Sequence, residues 1–145
     1  MATIPLHYID LRTFCYATED EKRVEEALWT FLPEEFEIDR TESEGHYGDR
    51  ILVFSARVEN ADDIRHVLSR LADLEEFSRL IDELDDRVTE NTELFLRLDK
   101  QAAFSEEVRL GDGITFRAKV EAYPAKKAQA VENAEDVLER LRTEK

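Results

Sequence analysis

Apolar residues recur along this 145-residue chain at two periods, and the switches between them set out its elements. Residues 6–17 (LHYIDLRTFCYA) alternate with a period of two and predict a strand. Thr18-Glu19-Asp20-Glu21 has the form of a capping box, with a hydroxyl for free helix N–H groups and a carboxylate reaching back. The helix it opens carries Val24, Ala27, Leu28 and Phe31 at i, i+3, i+4, i+7, and Pro33 follows its end. Strands at 35–43 and 50–59 flank a hairpin-like loop, Glu44-Gly45-His46-Tyr47-Gly48-Asp49. Asn60 caps a helix with Ile64, Val67, Leu68 and Leu71 on one stripe, and Asp73-Leu74-Glu75-Glu76 restarts it into Phe77, Leu80, Ile81, Leu84 and Val88. A strand at 93–99, an irregular passage at 100–103, a strand at 105–110 and a strand at 114–123 come next. A last helix is entered at Pro124, with Ala128, Val131, Ala134, Val137, Leu138 and Leu141 apolar. The predicted order is β-α-β-β-α(α)-β-β-β-α over one domain, 1–145. Strands in adjacent runs point to an α+β fold, a mostly antiparallel sheet with helices packed on one face.

Alternation also sorts the strand residues by face. Ile9, Leu11 and Cys15, then Leu52, Phe54, Ala56 and Val58, then Leu94, Leu96 and Leu98, then Ile114, Phe116, Ala118 and Val120 belong under the helices. The other face receives Arg12, Arg57, Arg97, Arg117 and Lys119, interleaved with Tyr8, Phe14, Phe95 and Tyr123. Guanidinium groups suit phosphate and exposed rings suit stacking on bases, a combination used by open sheets that hold single-stranded RNA. The same residue types also suit any half-exposed strand, with cross-strand Arg–acid pairs for solubility.

Charge changes the picture. Asp and Glu number 35 against 20 Lys and Arg, a formal net charge of -15. The acids are scattered in pairs such as Glu25-Glu26, Glu34-Glu35 and Asp85-Asp86, and the bases are six Lys against fourteen Arg. An acidic interaction surface or a nucleic-acid mimic is one reading; adaptation to high salt, with an anionic surface for hydration, is the favoured one. At molar salt the screening length is about 3 Å, so net negative charge does not bar a polyanionic partner.

Chemistry narrows little further. There is no Walker loop, GxGxxG or GxSxG, and Cys15 is the sole cysteine, so no disulfide forms within the chain and no cofactor is expected. His7, His46 and His66 are far apart. Asp10, Asp99 and Glu121 could hold Mg²⁺ as in a nuclease if they converged, although balancing neighbouring Arg explains them equally. No apolar run approaches a membrane span, and MATIPLHYID lacks the build of a signal peptide, so a cytoplasmic, non-enzymatic protein is expected.

The opening strand with Thr18-Glu19-Asp20-Glu21, the loop Glu44-Gly45-His46-Tyr47-Gly48, the run 96–103 (LRLDKQAA) and Tyr123-Pro124-Ala125-Lys126-Lys127 resemble an archaeal family labelled RNA-binding proteins or predicted exosome subunits. That family is similar in fold to the large-subunit ribosomal protein that contacts the small ribosomal RNA. The resemblance implies RNA as partner and association with exosome subunits, and carries over no catalytic residue. Its matched positions add His46, Lys100, Gln101, Lys126 and Lys127 to the sheet-face candidates. Lys100 could meet a phosphate and Gln101 a base edge, or the two could cap a strand. A protein-docking module, with the open face or the 61–88 segment as its surface, is the alternative.

Overall fold

Leu6–Cys15, whose inward residues Ile9, Leu11, Thr13 and Cys15 alternate with Asp10, Arg12 and Phe14, forms β1 at the centre of the sheet. The structure, a computed structural model, describes residues 4–45 and 48–144. Helix α1 (Glu21–Trp29) leads to β2 (Asp39–Glu44) and β3 (Arg50–Val58). Helices α2 (Ala61–Leu71), α3 (Phe77–Asp82) and α4 (Leu84–Arg87) precede β4 (Glu93–Asp99). A single turn, α5 (Lys100–Ala103), then β5 (Gly113–Val120) and α6 (Lys127–Glu144), complete the α+β fold. The sheet order is β2-β3-β1-β5-β4, and every pairing is antiparallel.

Register turns the predicted faces into layers. Phe54, Thr13, Ile114 and Leu98 lie abreast across β3, β1, β5 and β4, followed by Ala56, Leu11, Phe116 and Leu96, then Val58, Ile9, Ala118 and Leu94. All twelve are buried, together with Val24, Ala27, Leu28, Ile64, Val67, Leu68, Leu80 and Leu84 from the helices. Each fully buried Leu, Ile or Phe contributes about 1.5–3 kcal/mol, so this one-sided core is what holds the sheet to its helices. Thr13 is the polar member of the layer. Its hydroxyl donates to the Gly113 carbonyl at 2.7 Å and is thereby satisfied.

Four local expectations need correction. The first helix is capped by Asp20, whose Oδ1 accepts from the Lys22 N–H, and not by Thr18; Glu19 instead accepts from the Tyr16 N–H. The passage 100–103 is helical, because Asp99 Oδ1 accepts from the Ala102 N–H and caps it. Residues 105–110 are not a strand. Ser105, Glu106 and Glu107 bond back to carbonyls of α5, Glu106 has φ 61°, and only Leu110 forms a bridge, to Leu98. The sheet therefore has five strands where the sequence predicts six. Finally, α6 begins at Lys127, so its buried stripe is Ala130, Ala134, Val137 and Leu138, and Ala128 is exposed.

Candidate functional site

Opposite the core layers, the strands present a second set of rows. Arg57, Asp10, Arg117 and Phe95 form one row across β3, β1, β5 and β4; Ser55, Arg12, Thr115 and Arg97 form the next. Tyr8, Lys119 and Glu93 lie on one flank, and Phe14 and Val53 on the other. Arg12, Phe14, Arg57, Phe95 and Arg97 are exposed, so this side of the sheet is open to a ligand. A depression of about 470 Å³ sinks into it, lined by Asp10, Arg12, Asp39, Arg57, Phe95 and Arg117, among others.

Asp10 organises the middle row. Arg57 donates to it twice, Nε to Oδ1 at 2.8 Å and Nη2 to Oδ2 at 2.9 Å, and Arg117 donates to Oδ2 from the other side. Burial pushes the Asp10 carboxyl upward, but the bonds and charges of Arg57 and Arg117 outweigh it and hold its pKa below the ordinary value. The same bonds raise both guanidinium pKa values. Arg117 also approaches Glu93 at 3.4 Å, and the Arg57 guanidinium lies 4.1 Å from the centre of the Tyr8 ring. Each guanidinium has five N–H donors, so both keep donors for another anion.

Arg12 differs from its neighbours. Its guanidinium lies 5.6 Å from the Phe14 ring centre, and among the described residues it pairs with no carboxylate. Phe14 in turn stacks on Tyr16, centroids 6.5 Å apart. Arg97 pairs with Asp112 at 3.0 Å in a fully wet setting, and Lys119 donates to the Asn91 carbonyl. The open face thus offers a free guanidinium, tethered ones and two accessible rings, Phe14 and Phe95.

The remaining candidates fall elsewhere. Lys100 is not a surface cation. It is 7% exposed, and its ammonium donates to the Phe14 carbonyl at 2.6 Å and to Glu19 at 2.8 Å, so it braces β1 from beneath and has no charge to lend a phosphate. Gln101 is exposed on α5; Lys126 precedes α6 and Lys127 begins it, off the strand rows. His46 lies outside the described residues. Asp10, Asp99 and Glu121 do not converge: the first is bound by arginines, the second caps α5, the third pairs with His7 at 3.4 Å. Among the described residues no three His, Cys, Asp or Glu side chains are grouped to hold a metal, and no helix is long and apolar enough to cross a membrane.

Residues 8–120, which include β2 to β5 and most of β1, match a protein family described as RNA binding. The chain belongs to that family. The chain is 38% identical over 144 residues to RNA-binding protein PAB1135 of Pyrococcus abyssi, covering 92% of this chain and 94% of the relative. Two solved archaeal structures share its fold. Mth689, a DUF54 protein from Methanothermobacter thermautotrophicus, is 41% identical with a TM-score of 0.77, covering 92% of this chain and 98% of that one. Protein AF2318 from Archaeglobus fulgidus is 30% identical with a TM-score of 0.82, covering 91% and 99%.

Two side chains beside the open face carry no signal in the sequence. Arg79 and Arg87 lie on the short helices α3 and α4, yet they border the same side of the sheet beyond β4. The Arg87 Nε is buried without a hydrogen-bond partner, which costs about 1–3 kcal/mol. Helical spacing places both arginines on a polar stripe and says nothing of the strand edge they reach.

Proposed function

We propose that the chain is a non-catalytic RNA-binding protein whose RNA lies on the open face of the sheet. The observation that carries this reading is the Arg12 guanidinium. Among the described residues it pairs with no carboxylate; it lies 5.6 Å from the exposed Phe14 ring and lines the same depression as Phe95, in a chain whose family is described as RNA binding. Arg12 and Arg97 supply phosphate contacts, and Arg57 and Arg117, held still by Asp10, add directed donors at little entropic cost. Phe95 and Phe14 offer surfaces for bases, each stacked base contributing about 1–3 kcal/mol. High salt weakens the phosphate contacts but not the stacking, which suits a strongly acidic protein.

Titration of single-stranded RNA against Arg12→Gln and Phe95→Ala variants tests the reading. Arg12→Gln should weaken binding about tenfold and make the salt dependence shallower by about one unit. Phe95→Ala should weaken binding by a similar factor and leave the salt slope unchanged. Unaltered RNA affinity in both variants, with loss of a co-purifying protein instead, would make the face a protein-docking surface and overturn the proposal. Association with exosome subunits belongs to the same proposal. It predicts that tagged protein retains exosome components in nuclease-treated lysate, and their absence would remove it.

A further inference from the structure

Arg12, Phe95 and Thr115 border two depressions at once. The second, of about 730 Å³, runs from them over the outer edge of β4 to the α3–α4 segment, where Arg79, Arg87 and Arg97 line it. Four arginines, Arg12, Arg79, Arg87 and Arg97, line it against one lining carboxylate, Asp86, with Asp112 paired to Arg97, in a chain where acids outnumber bases 35 to 20. Arg79 and Arg87 share a single counter-charge, Glu83, at 3.2 and 3.0 Å. Two cations on one carboxylate leave positive charge over, and Arg79 is 62% exposed.

The backbone of β4 adds polar groups to the same wall. Leu94, Leu96 and Leu98 turn their main-chain groups toward β5, so those of Phe95 and Arg97 point outward. One end of this edge is closed where Thr89 donates to the Glu93 carbonyl at 2.9 Å, the other where Gly111 donates to the Arg97 carbonyl at 3.1 Å. Between them the Phe95 carbonyl and the Arg97 N–H point away from β5, on the edge where Phe95 and Arg97 line the depression. The far edge of the sheet is acidic on balance, since β2 carries Asp39, Glu42 and Glu44 against a single base, Arg40.

We infer that the depression beyond β4 is a second nucleotide subsite, where a single-stranded polynucleotide leaving the open face turns over the β4 edge with a phosphodiester among Arg79, Arg87 and Arg97. The inference rests on the open face being the RNA surface, and adds a direction to it. A base stacked on Phe95 marks the turn, and the outward Phe95 carbonyl and Arg97 N–H meet the polar edge of the next base. The acidic β2 border disfavours the opposite exit.

Fluorescence anisotropy with oligouridylates of roughly four and ten nucleotides, lengths within the range of single-strand sites, tests it. Wild-type protein should bind the longer strand about tenfold more tightly than the shorter. Arg79→Gln should remove most of that gain, make the salt slope for the longer strand shallower by about one, and leave the shorter strand within about twofold. Arg79 is chosen because Arg87 is half-buried and its loss could unfold α4; Arg79→Lys should restore the slope. A length gain and slope unchanged in Arg79→Gln, or no length gain in the wild type, would overturn the subsite while short-strand binding left the open-face reading standing. Failure of the wild type to bind either strand would overturn both.

Discussion

Replacing Asp10 by Asn sets two effects against each other. The carboxylate that receives three bonds from Arg57 and Arg117 disappears, leaving two guanidiniums close together; a fall in stability of about 1–3 kcal/mol is expected from lost charge-assisted bonds. The face simultaneously gains one positive charge, so RNA affinity should be kept or increased while the urea midpoint falls. Measuring both on one preparation separates a brace from a ligand contact. Acid provides the second check. A carboxyl held below its ordinary pKa of 3.8 stabilises the fold at every pH above that value, and the contribution is lost as pH drops through the lower folded value. Asp10→Asn should therefore flatten the acid limb of the stability curve below about pH 4. Lys100 is the opposite case. Lys100→Met strands Glu19 and the Phe14 carbonyl, an expected loss of about 3 kcal/mol in denaturant unfolding, with RNA affinity of the folded protein unaltered.

At the scale of elements, the junction between β4 and β5 is the most constrained. A Cβ on Gly111 would stand 2.6 Å from Asp99 Cβ, and one on Gly113, whose φ is +111°, would stand 2.5 Å from Lys100 Cβ. Gly111→Ala and Gly113→Ala should each destabilise by more than about 1 kcal/mol, read as a lowered thermal midpoint, because they displace the α5 cap and the Lys100 brace. The two strands around this junction were plain in the sequence: 93–99 coincides with β4, and β5 occupies most of 114–123. What lies between was not. Val108 and Leu110 mimic strand alternation, but they reach the core from an irregular loop that folds back on α5. Lys100 looked like a surface cation because its partner, Glu19, lies 81 residues away, and no local pattern records so distant a pairing. The open face was legible as a set, since period two fixes which side chains share it. The pairing of Asp10 with Arg57 and Arg117 came only with the strand order, which alternation does not specify.

For the molecule as a whole, a net charge of -15 sets its response to salt. Between roughly 0.1 M and 1 M salt the screening length falls from about 10 to 3 Å, so repulsion among scattered acids should fade and the thermal midpoint should rise. A midpoint that falls over that range would argue against adaptation to high salt. Topology has a separate consequence for how the chain comes into being. The strand synthesised first is the one at the middle of the finished sheet, and its neighbour β5 is held to it by a bond spanning 100 residues, from Thr13 to Gly113. At typical elongation rates of about 5–20 residues per second, β1 waits roughly 5–20 s after emerging before that second flank exists. During that interval a nascent chain displays an unzipped hydrogen-bonding border beside apolar residues such as Ile9 and Leu11, making early translation the window in which chaperone capture has most to protect.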